Sequence, residues 1–233
     1  MKCVILQPFY IPWRGYFHQI QQADVFIFYD DVQYEKRGWC SRNRVKTANG
    51  VQWLSIPVLN KNSIVRGVPI NEIEIDRSQN NWREKHQKTL RQSYGKAPFF
   101  SKYELFLTEF YERNDKFLAD LTIDLTIALA RELGIEKTKF YRASAFGASG
   151  RKTDRLLFLL NAVGATDYIT GAAAKNYIEA EKFAEARINL EYMIYDYPEY
   201  EQLYSPFDGQ VSILDLLFMK GTETGKYIWN TAQ

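Results

Sequence analysis

Hydrophobic positions along the chain fall into two kinds of run, and the difference separates strands from helices. Val4-Ile5-Leu6 is continuous, apolar and too short for a helix, and Pro8 and Pro12 forbid one in the stretch that follows. A buried strand should therefore end near Gln7. Residues 15–22 can supply one to two helical turns, and Val25–Tyr29 is again a continuous run of β-branched and aromatic residues, closed by charge. Continuity rather than alternation predicts strands covered on both faces, as in a parallel sheet. Gln7 and the Asp30-Asp31-Val32-Gln33 group then meet at the carboxyl ends of two neighbouring strands, the edge where open α/β sheets bind ligands.

Beyond this unit the pattern changes. Asn49-Gly50 marks a tight turn, so residues 42–58 read as a hairpin whose second strand is Gln52–Val58, and Ile70–Ile75 reads as another short strand. The middle of the chain has helical spacing. Trp82, His86 and Leu90 recur at intervals of four within residues 80–95, residues 99–112 suggest a second helix, and Phe117, Leu121, Leu125 and Leu129 form an apolar row ending before Gly134, with Asp115 as its expected cap. Lys139–Arg142 and the segment ending at Thr170-Gly171 are further strand candidates, separated by the small-residue loop 146–152 and a helix, and residues 188–195 read as a last strand. Ser212 caps a short final helix, with Asp215 in the capping-box position. The expected fold is α/β, a Rossmann-like, mainly parallel sheet with flanking helices and a helical insertion or C-terminal portion.

Composition narrows the class. At 233 residues the chain can bury one sizeable core, and a single domain spanning 1–233 is expected. The 30 basic and 28 acidic residues nearly cancel, which argues against a broad nucleic-acid footprint but not against local basic patches. Two cysteines, Cys3 and Cys40, show neither disulfide nor metal-ligand spacing, as expected in a reducing cytoplasm. No apolar run reaches the roughly 18–20 residues that span a bilayer, and no cleavage site follows Met1-Lys2, so membrane insertion is not expected.

Candidate chemistry clusters in four places. Asp30, Asp31 and His86 are the candidate proton acceptors, although a histidine on such a stripe is usually a satisfied core or boundary residue. Lys36, Arg37, Arg42 and Arg44 alternate with Trp39 and Asn43, a mixture suited to phosphate or diphosphate recognition, to which Lys61 adds a further cation. Arg151 and Lys152 stand at a helix start after a glycine-rich loop that attracts anions yet lacks the phosphate-loop pattern. Gly171, followed by Lys175, repeats the strand, glycine, helix order.

Taken together, these segments resemble the WbqC-like protein family along nearly the whole chain. The family's opening motif is matched by Gln7, Pro8, Tyr10, Pro12, Trp13, Gly15, Tyr16 and Phe17, and its next block by Ala23, Asp24, Phe26, Asp30, Asp31, Val32 and Gln33. Asn43-Arg44 and the KTDRLL, GATDYITG and SILDLLF segments also look familial. The resemblance implies a glycine or aminoacyl transferase of surface-polysaccharide (O-antigen) gene clusters, acting on an amino sugar. More faintly, the opening unit is similar to nucleotidyltransferases and pantothenate synthetases, although their paired histidines are absent and only His18 lies nearby.

Such a transfer needs a neutral amine, an activated carbonyl, a proton acceptor and donors for the developing oxyanion. Gln7, Asn43 and the amides near Gly150 or Gly171 are candidate donors, while Tyr10, Trp13, Gln33, Trp39 and Lys175 complete the expected binding set. The expected partners are a nucleotide-linked amino sugar and an activated amino-acid donor, which can be aminoacyl-tRNA, a carrier thioester, or free amino acid with ATP. No cofactor and no metal is implied. A nucleotide-dependent ligase or nucleotidyltransferase and a non-catalytic sugar-binding component are the alternatives.

Overall fold

The computed structural model describes residues 1–59, 66–79 and 81–229. Its centre is a five-stranded parallel sheet of β1 (Lys2–Leu6), β2 (Val25–Phe28), β5 (Lys139–Arg142), β6 (Asp167–Gly171) and β7 (Asn189–Met193), in the spatial order β5-β2-β1-β6-β7. β3 (Arg42–Thr47) and β4 (Gly50–Ser55) form the separate antiparallel hairpin around Asn49-Gly50. Counted in chain order, the sheet strands run 3-2-1-4-5, the doubly wound arrangement.

The continuous apolar runs follow from this burial. Val4, Phe26, Phe28 and Ile169 face one hydrophobic core, and their neighbours Cys3, Ile5, Val25, Ile27 and Tyr168 face the other. Helix α1 (Arg14–Gln22) covers the first face through Phe17 and Ile20. The second face is covered by α5 (Lys152–Ala162) through Leu156, Leu159 and Leu160, and by Phe183 of α6 (Ala180–Glu185). The chain thus leaves β1 toward one face and β6 toward the other. These two strands are adjacent, so their carboxyl ends flank the topological switch point.

Between β2 and β5 lie the hairpin and helices α2 (Trp82–Tyr94), α3 (Phe100–Glu112) and α4 (Leu118–Glu132), the helical insertion expected from the sequence. The final helix α7 (Ile213–Lys220) packs Phe218 against Tyr94, Phe100 and Tyr103. Ser212 Oγ accepts from Leu214 N at 3.2 Å and caps it. The start of α7 is pinned on both sides, since Ile213 N donates to Pro12 O and Ser212 N donates to Arg44 O, each at 2.9 Å.

Three local expectations are corrected. Ile70–Ile75 is not a strand. Residues 70–72 form a short 3-10 turn, because Ile70 and Ile73 reach the same core only with a period of three, and pairing is limited to the isolated bridges Val58–Ile75 and Glu74–Phe117. Asp115 does not cap α4. Its carboxylate takes a bidentate pair from Arg113 at 2.8 and 2.9 Å, and the helix begins after an extended Phe117 with no side-chain cap. Asp215 is not a reciprocal cap either. It is buried and accepts from Tyr94 Oη at 2.9 Å, Tyr200 Oη at 2.7 Å and Gln202 Nε2 at 2.9 Å, three donors that converge from separate segments.

Candidate functional site

The loop from Gln7 to Trp13 leaves β1 at the switch point and is held by side chains together with backbone bonds, Tyr10 N donating to Trp39 O at 3.0 Å and Ile213 N to Pro12 O at 2.9 Å. Asn43, buried on β3, donates through Nδ2 to Tyr10 O at 3.0 Å and Ile11 O at 2.9 Å, while its Oδ1 accepts from Arg44 N at 2.7 Å. Ile11 is thereby held at φ 38°, a left-handed conformation that a β-branched residue rarely adopts. Tyr10 points inward, where its hydroxyl meets His86 Nδ1 at 2.9 Å and Tyr111 Oη at 2.6 Å. Tyr16 Oη donates to Gln7 O at 2.9 Å.

This loop forms one wall of a pocket of about 270 Å³, lined by Phe9, Trp13, Trp39, Asn43, Arg44 and Gln210. The Trp13 ring stands edge-on to Tyr195 at 5.1 Å. The space beneath it exists because residue 15 is glycine, since a Cβ there would lie 2.4 Å from the indole. Arg44 closes the pocket by donating to Gln210 O at 2.6 Å and Gln210 Oε1 at 3.0 Å. Register then builds a strip outside the pocket. Arg42 and Arg44 share one face of β3, Trp53 pairs with Arg44 from β4, and Trp39 lies 5.4 Å from Trp53. The Arg42 guanidinium stacks on Trp53 at 4.1 Å, and that of Arg44 lies 5.8 Å from both indoles. Both tryptophans are 41% exposed, and Nε of each arginine has no partner among the described residues. Past the strip, between the hairpin and α2, opens a cleft of about 610 Å³ bordered by Lys36, Arg37, Arg42, Trp53, Lys85 and His86.

The three candidate proton acceptors occupy three different environments. Asp30 is fully buried and accepts from Ser144 N at 3.0 Å and Ser144 Oγ at 2.8 Å, one bond to each oxygen. Asp31 pairs with Arg155 at 2.5 Å through Oδ2 and keeps Oδ1 without a partner among the described residues. Partial burial raises its pKa against the opposing pull of Arg155. Beside this pair, burial pushes the Tyr29 hydroxyl up to about 12. His86 is enclosed by Trp82, Tyr10 and Tyr111, and burial lowers its pKa to about 4. It is a neutral histidine of the cleft wall near neutral pH. The thiols of Cys3 and Cys40 are buried and pushed up to about 12, so neither supplies a thiolate nucleophile.

The segments that build this pocket match a known family. The model of the WbqC-like protein family covers residues 7–227, from the first residue of the pocket loop to beyond the last helix. The chain belongs to the WbqC-like protein family. An uncharacterized protein of Mycobacterium tuberculosis (strain ATCC 25618 / H37Rv), Rv1507c, is 38% identical over 229 residues, covering 97% of each chain. No solved structure matches.

In this WbqC-like protein, Trp13, Trp39, Asn43 and Arg44 come together in the pocket, and Arg37, Arg42 and His86 in the adjoining cleft. The other candidates are placed apart. Gln7 accepts weakly from Cys40 Sγ at 3.6 Å, and Gln33 forms an isolated bridge to Pro69. Arg151 and Lys152 are exposed at the start of α5, where Thr153 Oγ1 already accepts from Glu179 N at 3.1 Å. Gly171 abuts Tyr195, and Lys175 lies over the Tyr192 ring at 4.9 Å. Lys61 lies outside the described residues. Sequence reasoning missed Phe9, Trp53, Arg155 and Gln210. Trp53 carried a signal, an exposed tryptophan two residues beyond Val51 in a hairpin strand opposite arginines, whereas nothing local links Arg155 to Asp31.

Proposed function

We propose that this WbqC-like protein is an acyltransferase, more narrowly a glycyl or aminoacyl transferase that modifies the amine of a nucleotide-linked amino sugar in surface-polysaccharide (O-antigen) biosynthesis. One observation carries the reading. The family's opening motif and its Asn-Arg pair fold into the walls of a single aromatic pocket beside the switch point, with guanidiniums at its rim. Trp13 and Trp39 offer ring faces to a sugar or base, and the Arg44 guanidinium at the pocket rim suits a phosphate of the sugar nucleotide.

In the proposed reaction the sugar amine attacks the donor carbonyl. An N–C bond forms, the C–O or C–S bond of the donor breaks, and the amine proton passes to a base and on to the departing hydroxyl or thiol. Asp31 is the candidate base, because among the described residues it alone of the three keeps an unpartnered buried oxygen and a raised pKa. Asp30 is the residue that holds the Ser144 turn. Mass spectrometry of a nucleotide amino sugar incubated with candidate donors should show the gain of one aminoacyl residue. Asp31→Asn should remove turnover while calorimetry still detects the sugar nucleotide. Absence of sugar-nucleotide binding, together with undiminished activity in an Asp30→Asn/Asp31→Asn protein, refutes the assignment.

The 3-2-1-4-5 sheet order supports a second reading, a nucleotide-dependent ligase or nucleotidyltransferase, since such sheets bind nucleotides at the switch point. It requires pyrophosphate release from ATP in the presence of an acceptor.

A further inference from the structure

The cleft between the hairpin and α2 has a charge pattern that the pocket does not share. Lys36, Arg37, Arg42 and Lys85 border it, and among the described residues no aspartate or glutamate does. Among the described residues none of these four cations forms an ion pair, in a chain whose total charge is only +2. The concentration of positive charge is therefore local, and it is not neutralised from within. His86 adds no charge near neutral pH, since burial holds its pKa at about 4.

Two further features face the same space. The amino end of α2 borders the cleft through Asn81, Trp82 and Lys85, and among the described residues the Asn81 side chain does not cap it, so the positive end of a 13-residue helix lies at the cleft, with Glu84 as the acidic residue of its first turn. Trp53, stacked with Arg42 and 41% exposed, stands on the opposite wall as a flat face for a base. At about 610 Å³ the cleft exceeds what a single phosphate fills and lies within the range of ligand-sized sites.

We infer that this cleft is a second binding site, separate from the aromatic pocket, for a nucleotide carrying at least two phosphates. Its cations hold the phosphate chain, and Trp53 stacks the base. As a matter of role, which rests on the transferase reading above, it is the site of the activated donor or of the nucleotide that activates a free amino acid, across the Trp39–Trp53 strip from the acceptor. A carrier thioester would present one phosphodiester on a slender arm and leave most of these cations without a partner. The shared chemistry, base plus phosphates, has two sources, a free nucleotide such as ATP and the single-stranded 3′ end of an RNA.

The test uses the full chain, a 5′-fluorescein-labelled single-stranded RNA ending in CCA, and ATP, followed by anisotropy and competition. Binding of either should weaken with salt, that of the RNA with a logarithmic slope of about −1.4 or steeper for two or more phosphate contacts. Arg37→Glu/Lys85→Glu, both exposed positions, should lower affinity at least tenfold, whereas Lys137→Glu/Lys139→Glu, exposed at the start of the edge strand β5 and outside the cleft lining, should change it less than twofold. Tight RNA binding that ATP does not displace names RNA as the source, and equal displacement by ATP names the free nucleotide. The inference is overturned if neither probe binds at low salt, or if the cleft variant binds as the unaltered protein does. Trp13→Ala keeps the distinction clear. It should retain RNA or ATP binding while losing the sugar nucleotide, so failure of the pocket reading and failure of the cleft reading give different results.

Discussion

Asn43 offers a direct test of how the pocket is built. Its side chain makes three hydrogen bonds, two of them donated to the Tyr10 and Ile11 carbonyls, and it is only 2% exposed. Asn43→Ala leaves two buried carbonyls and one amide without partners, at about 1 kcal/mol each. Release of Ile11 from its left-handed conformation returns roughly 1 kcal/mol. The expected net loss is about 2 kcal/mol, measured as a shift in the urea midpoint at constant slope. Asn43→Asp separates geometry from volume. The carboxylate keeps the Arg44 bond but sets an oxygen against two carbonyl oxygens, so it should destabilise at least as much as alanine at pH 8. That carboxyl would have a raised folded-state pKa, so the variant should recover stability as pH falls and its acid form donates again. A loss below 0.5 kcal/mol for alanine, or an aspartate variant as stable as the parent at pH 8, would refute the bracket role.

Three further outcomes follow from the same geometry. Gly15→Ala places a methyl against the Trp13 indole while gaining about 1 kcal/mol of helix propensity, so thermal stability should barely change but sugar-nucleotide affinity should fall at least tenfold in calorimetry. His86 has a folded-state pKa below its usual 6.5, so the unfolded chain takes up the proton first on acidification. Stability should drop by about 3 kcal/mol between pH 6.5 and 4, and urea titrations of His86→Gln should lack that drop. Asp215→Asn turns an acceptor of three donors into a group that must itself donate, and should cost about 2–3 kcal/mol in denaturant unfolding without moving the α7 cap at Ser212.

What could be read from the sequence followed from local rules. Continuous runs at Val4–Leu6 and Val25–Phe28 announced strands covered on both faces, Asn49-Gly50 placed the hairpin tip within a residue, and the four-residue spacings of Trp82 and Leu121 located α2 and α4. What could not be read depends on pairs distant in sequence. Asp215 looked like a cap because its spacing from Ser212 is right, and only the fold brings Tyr94 and Tyr200 to it. His86 read chiefly as a core or boundary histidine, but its partner Tyr10, 76 residues earlier, could not be read locally. Asn43 suggested an oxyanion donor, yet its amide is occupied by the backbone it supports. The Ile70–Ile75 error arose from propensity alone, since β-branched residues also pack along a tight turn.

The seven-residue loop that follows β1 touches both cavities. Its Phe9 and Trp13 line the pocket, while Tyr10 between them reaches through the core to His86 on the cleft wall. A ligand that steadies this loop from one cavity should therefore favour binding in the other. The two sites should show reciprocal coupling, each occupant raising the affinity of the other by the same factor. Tyr10→Phe, which cuts the link to His86 but leaves both cavities lined as before, should make the two binding events independent.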